Sequence, residues 1–252
     1  MTVFVMTGPS LPPFDARNAL EAVYLPPVSE GDVYRAACEN PTAIGIIDGY
    51  FECVPSVWHK EILYALSRGI RVFGAASMGA LRAAELAAFG MEGIGAIFEA
   101  FREGVLEDDD EVAVIHGPAE FGYPVLSEAM VNIRRTLSDA ALEGVIFQET
   151  RERLESIAKG LPYRERTFAA MMDEGKRCRL PDEELHAFRQ WLPNGRVDQK
   201  REDALLMLRT MRVQVGADAT HRPPVQFHFE HTTLWERASR LAAAQDRSFE
   251  PA

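Results

Sequence analysis

The sequence predicts an α/β protein, with a mostly parallel sheet core flanked by helices and followed by an all-helical C-terminal region. Three observations carry this expectation. Short β-branched runs alternate with helical patterns through the first half of the chain, which implies βαβ units and a parallel sheet. Runs such as Ile44-Gly45-Ile46-Ile47 and Val112-Ala113-Val114-Ile115 are almost continuously apolar, as strands buried on both faces must be. From about Leu126 the strand signals stop and helical spacing alone continues.

Taken in order, strands are expected at Val3–Met6, Ala22–Leu25, Ala43–Ile47, Ile70–Phe73 and Val112–Ile115. Helices are expected between them at Asp15–Glu21, Ser29–Glu39, Pro55–Arg68, Ser77–Phe89 and Gly93–Arg102. Beyond these, Leu126, Met130, Ile133 and Leu137 keep helical spacing, with Ser127 as the cap. Later helices begin near Ile146, Tyr163, Pro181, Asp198 and Thr233, the last in a Thr233-Leu234-Trp235-Glu236 capping box. The pattern divides the chain into an α/β core over residues 1–125 and a helical region over residues 126–252 packed on it. Gly216–Gln226, which contains Pro223-Pro224, cannot continue a helix and is expected as a flexible surface loop.

Composition removes several function classes. The chain has 252 residues and a 47% hydrophobic content, ordinary for a globular protein. Its net charge of −11 argues against a nucleic-acid partner, whose phosphates need a basic surface. No stretch approaches the ~18 consecutive apolar residues of a membrane span, and Met1–Met6 reads as a strand, not a signal peptide. Cys38, Cys53 and Cys178 fit neither a disulfide framework nor a zinc motif, so a cytoplasmic protein is expected. His221, His228 and His231 lack the usual zinc partners, and neither a metal nor a cofactor is expected.

In parallel α/β sheets ligands bind outside the carboxyl ends of the strands. The expected strands deliver there Thr7-Gly8-Pro9-Ser10, Asp48-Gly49-Tyr50, Gly74-Ala75-Ala76-Ser77-Met78-Gly79 and His116-Gly117-Pro118. Ser77 is the sharpest feature. The string Ala75-x-Ser77-x-Gly79 is a variant of the G-x-S-x-G elbow, with alanine for the first glycine. A serine there sits at a helix N-terminus, and the Met78 amide, with one near Gly49, is placed to donate to an oxyanion. The plainer reading makes Ser77 the cap of an alanine-rich helix, and the pattern by itself favours that.

A nucleophilic serine needs a base. Lys60 falls in the first turn of the helix after the third strand, where a cation opposes the helix dipole; its plainer fate is a solvated amine. His116, at the end of the expected fifth strand, would make a Ser-His arrangement with Asp48 as orienting carboxylate. Asp48 equally suits bracing of the Gly49 turn. His59 is a third candidate, or a filler between helix and sheet. Lys200 matters only if its helix folds back over the site. Arg82 is spaced to pair with Glu85, or to hold a substrate carboxylate. The run Glu107–Glu111 lacks the EF-hand pattern and reads as a solvated turn or a dock for a basic partner.

Several of these strings together resemble the TfuA-like family: Gly8-Pro9-Ser10, Ile46-Ile47-Asp48-Gly49-Tyr50-Phe51, Pro55–Leu63 with its His59-Lys60, Gly74–Glu85 around Ser77, and Asp109–Val114. The resemblance runs through roughly residues 3–140, and the pairing of the Ser77 and His59-Lys60 strings is quite specific. It implies a role in peptide backbone thioamidation beside a YcaO-type ATP-dependent cyclodehydratase or thioamide synthetase, acting on a precursor peptide. In that setting the protein would release sulfide from a thiocarboxylated, ThiS-like carrier protein. The family's hydrolase-like site is described as a Ser-Lys pair, which maps onto Ser77 and, by assignment, Lys60. Ser10, Gly79, Arg82 and His116 are then the substrate-binding candidates, with Arg82, Arg134 and Arg135 guiding an acidic carrier into a glycine-lined cleft. The alternatives are a non-catalytic adaptor presenting peptide or carrier, and a general serine acyl hydrolase.

Overall fold

Five parallel strands form one sheet in the order β2-β1-β3-β4-β5, comprising β1 (Val3–Met6), β2 (Val23–Leu25), β3 (Ala43–Ile46), β4 (Arg71–Ala75) and β5 (Glu92–Ile94). The structure, a computed structural model, describes residues 2–52, 54–216 and 226–244. Residues 217–225 of the expected loop, together with Cys53 and His221, lie outside them. The first four strands fall where the apolar runs put them. The fifth does not. Val112–Ile115 forms no strand, and β5 is the short Glu92-Gly93-Ile94, hidden in sequence because a glutamate, a glycine and a single β-branched residue carry no strand signal.

The connections are helical: α1 (Pro13–Ala16), α2 (Asp32–Cys38), α3 (His59–Ser67), α4 (Met78–Leu86) and α5 (Ala96–Arg102). Four further helices follow, α6 (Met130–Leu142), α7 (Gln148–Gly160), α8 (Phe168–Arg177) and α9 (Asp182–Gly195), and then α10 (Gln199–Gly216) and α11 (Thr233–Ala244). The chain separates into two units, one of Met1–Glu107, Ala119–Tyr123 and Lys200–Ala252, the other of Asp108–Pro118 and Pro124–Gln199. The sheet unit therefore takes back α10 and α11, which follow the boundary expected near residue 125.

Within the sheet unit, alternation along β4 assigns the faces. Phe73 and Ala75 share a buried cluster with Ala204, Met207, Leu208 and Met211 of α10. Gly74 points to the opposite face, where a Cβ on it would lie 2.1 Å from the Gly79 carbonyl oxygen of α4. The sheet is thus covered on both sides, and each fully buried α10 methionine contributes about 1.5–3 kcal/mol. α10 runs antiparallel to the strands. Its start lies at their carboxyl ends, where the Asp203 carboxylate accepts the Ile97 amide at 2.8 Å. Its middle passes Gly45, whose Cβ would meet Met207 and Met211 at 3.0–3.2 Å. Its end reaches the amino edge, where Arg71 donates to the Gln214 carbonyl at 3.2 Å.

The second unit has its own core, built from Met130, Ile133 and Leu137 of α6, Leu154 of α7, Met171 of α8 and Phe188 of α9. Two expected caps move. Ser127 does not cap α6; its hydroxyl accepts the Ile115 amide at 2.8 Å. In the sheet unit, Thr232 rather than Thr233 caps α11, its hydroxyl accepting the Trp235 amide at 3.2 Å.

Candidate functional site

The strand order reverses between β1 and β3: the chain goes from β1 outward to β2, then returns to the other side of β1. Such a switch point leaves a crevice outside the carboxyl ends. Asp48, at the end of β3, spans it. One carboxylate oxygen accepts the Gly8 amide at 2.9 Å and the Ser10 amide at 3.0 Å, and the other accepts the Ser10 hydroxyl at 2.6 Å. Asp48 is 1% exposed, so these bonds are its compensation for burial. Its oxygens brace the loop after β1 and not the Gly49 turn, where its bracing role was expected.

Ser77 lies one strand over, between β4 and α4. Ala76 just before it has φ +66°, a left-handed conformation that costs a non-glycine residue about 1 kcal/mol or more. Ser77 occupies the N-cap position of α4, yet its hydroxyl makes no capping bond. The plainer reading therefore loses its expected contact. Around the turn, the Gly79 amide goes to the Ile47 carbonyl at 3.2 Å, and the Ala80 amide to the Ser77 carbonyl at 2.9 Å. That leaves Met78 as the first-turn amide without a backbone acceptor among the described residues. Gly49 packs directly on Met78, since a Cβ on Gly49 would lie 2.8 Å from the Met78 Cγ. The two residues expected to supply oxyanion donors are neighbours.

Glycine is obligatory at position 79. An added Cβ would lie 1.8 Å from the Ile46 carbonyl oxygen, so α4 sits hard against the end of β3. Gly79 makes room for the turn.

The basic candidates have different surroundings. Lys60 donates to the Thr232 hydroxyl at 3.2 Å, and its ammonium stands 5.5 Å from the Phe229 ring centre. His59 is half-exposed, not in a gap between helix and sheet, and its Nε2 lies 2.7 Å from the Glu85 carboxylate. Arg82 donates to the same carboxylate at 2.8 Å and to the Val57 carbonyl at 3.2 Å. Burial alone would raise the Glu85 pKa, but its bonds to His59 and Arg82 outweigh that and hold it below the ordinary value. His116 belongs to the second unit, where its Nδ1 lies 2.8 Å from the Gly117 carbonyl. It ends no sheet strand; β5 delivers Gly95 instead, with Asp203 filling the space a side chain there would need. Lys200 is 3% exposed, at the start of α10, which covers one face of the sheet and begins near the carboxyl end of β5.

Sequence reasoning missed Tyr123. It is 5% exposed, with φ +56°, and its ring lies 3.7 Å from where a Gly8 Cβ would be. Burial, followed by Tyr50 and the Asp48 charge, pushes its phenol far above the ordinary range, so it stays a neutral hydroxyl. The only signal in the sequence was the Gly122-Tyr123-Pro124 turn.

In the second unit the acidic run is divided: Asp108 and Asp109 are exposed, as in a solvated turn, while Asp110 and Glu111 turn inward to basic partners. Lys159 contacts Asp108, Asp110 and Glu111, and fully buried Arg166 donates to the Asp110 carboxylate at 2.7 Å. Arg134 pairs with Glu111 and Glu155, and Arg135 with Asp139, so both expected docking arginines are engaged within the unit.

The fold and this site define a doubly wound, parallel α/β protein with a serine at the β4–α4 turn. The family model of TfuA-like proteins matches residues 48–167, just under half of the chain, in agreement with the resemblance in the sequence. The match takes in Asp48, Ser77 and Tyr123 and suggests a role linked to thioamidation. No curated protein matches the chain. Among the described residues no helix is long and apolar enough to cross a membrane.

Proposed function

We propose that the chain is a hydrolase-like sulfur-delivery partner in peptide backbone thioamidation, releasing sulfide from a thiocarboxylated ThiS-like carrier for a YcaO-type enzyme and its precursor peptide. The observation that carries this reading is Ser77, set at the N-terminus of α4 with a hydroxyl that does not cap it.

Ser77 Oγ attacks the carbonyl carbon of the carrier's terminal thiocarboxylate while a lysine amine accepts its proton. The Met78 amide, with that of Gly49, stabilises the oxyanion. The carbon–sulfur bond breaks, the lysine returns the proton to sulfur, and hydrosulfide leaves with the acyl group on Ser77. Water, deprotonated by the same amine, then hydrolyses the ester and restores the serine. We assign the base to Lys200 ahead of Lys60. Lys200 is withdrawn from water at the start of α10, near the carboxyl end of β5, whereas Lys60 is only half-buried.

The test is sulfide release from thiocarboxylated carrier by the purified protein with no YcaO enzyme present. Catalytic release supports the proposal. A rate no higher than that of the carrier alone would instead favour an adaptor.

A further inference from the structure

A concave site whose lining does not include Ser77 lies in the sheet unit, between α11 and the N-termini of α2 and α3. It is a cavity of about 110 Å³ walled by Tyr34, Trp58 and Trp235, with Glu61 inside, Glu30 at its edge and the small Ala238 opposite. We propose that this cavity binds a small organic ammonium group.

Glu61 is 3% exposed. Its carboxylate accepts the Trp58 amide at 3.1 Å and the Tyr34 amide at 3.2 Å, and the Gly31 amide also bonds to it. A carboxylate offers about four acceptor positions, so one is left on a group that lines the cavity. Among the described residues Glu61 forms no ion pair, and Asp32, whose charge acts on it, is negative and already paired with Arg35. A buried anion without a counter-charge favours a cation beside it.

The walls suit the same ligand. Tyr34 and Trp235 meet edge to face at 5.5 Å, and aromatic faces attract ammonium groups. The protein already uses this cluster so: Phe229, 5.3 Å from Trp235, carries the Lys60 ammonium at 5.5 Å, with the Thr232 hydroxyl as its acceptor. The volume is somewhat below the roughly 150 Å³ of an apolar cavity that holds benzene. It therefore admits an alkylammonium the size of a lysine side-chain end.

The probe is butylammonium chloride, titrated into the ¹⁵N-labelled full chain while the three tryptophan indole signals are followed. Trp58 and Trp235 should shift saturably, and Trp191, which does not line the cavity, should not. Butan-1-ol should bind at least about tenfold more weakly, and potassium chloride should leave the signals in place. Ala238→Leu, which fills the cavity without touching a charge, should abolish the response, and Glu30→Gln should weaken it about fivefold. Equal binding of the alcohol, an undiminished response in Ala238→Leu, or a parallel shift of Trp191 would overturn the proposal. A lysine-containing pentapeptide in place of butylammonium identifies the source. Tighter binding of the peptide assigns the site to a peptide partner, tighter binding of the free amine to a small metabolite, and both orders support an ammonium site.

Discussion

The Ser10 hydroxyl donates to the Asp48 carboxylate at 2.6 Å across the point where the strand order reverses. With the two amide bonds from Gly8 and Ser10, it ties the loop after β1 to the end of β3. Ser10→Ala removes one bond and should cost about 1–2 kcal/mol in denaturant unfolding. Asp48→Ala removes three and strands two buried amides, so it should cost about 3–5 kcal/mol. Equal losses for the two variants would mean that the carboxylate is not the hub of this loop.

Gly79 and Gly49 make a graded pair. Gly79→Ala drives a methyl into the backbone carbonyl of Ile46, which cannot move without the sheet, and should cost more than about 4 kcal/mol or prevent folding. Gly49→Ala meets the Met78 side chain at 2.8–2.9 Å and the Val28 carbonyl oxygen less tightly, at 3.1 Å, and should cost about 1–3 kcal/mol. Thermal melts that rank the two the other way would place the tight contact elsewhere.

The lysine assignment separates by rate. Lys200→Met should lower sulfide release by about 100-fold or more, the usual range for loss of a general base. Lys60→Met should lose less, since Lys60 is only half-buried and its proton stays in exchange with water. The reverse order would return the base to Lys60.

Asp110 gives the second unit an acid limit. Burial tends to raise its pKa, but hydrogen bonds from Lys159 and Arg166 prevail and hold it below the ordinary 3.8. A depressed carboxylate contributes stability that is present above its unfolded pKa and lost as pH falls through its folded one. Unfolding followed from pH 5 down to pH 2 should therefore steepen below about 3.8, and Asp110→Asn should flatten that part of the curve. Arg166→Met, which orphans the Ala158 and Leu161 carbonyls as well, should cost about 2–4 kcal/mol at neutral pH.

Much of the fold was legible because burial on both faces writes itself as apolar runs: Val3–Met6 and Ala43–Ile46 were placed within a residue of their ends. β5 was not, because Glu92-Gly93-Ile94 pairs by backbone alone, with glycine at position 93 where Phe98 occupies the side-chain space. The apolar run Val112–Ile115 looked like a strand for the opposite reason, burial without pairing. Of the proposed site, Asp48, Gly49, Ser77 and Met78 stand out in the sequence because each belongs to a local turn. Tyr123 comes from a segment remote in sequence, and Lys200 could be named only on the condition that its helix folds back, because no local pattern announces a long return of the chain to the sheet unit.

The central claim is that Ser77 takes the acyl group as sulfide leaves. It is tested most directly by quenching the reaction with thiocarboxylated carrier in acid and mapping the adduct by mass spectrometry. The account predicts the carrier's C-terminal residue esterified to the Ser77 peptide, and neither adduct nor sulfide release in Ser77→Ala. Sulfide release at the full rate from Ser77→Ala would contradict it.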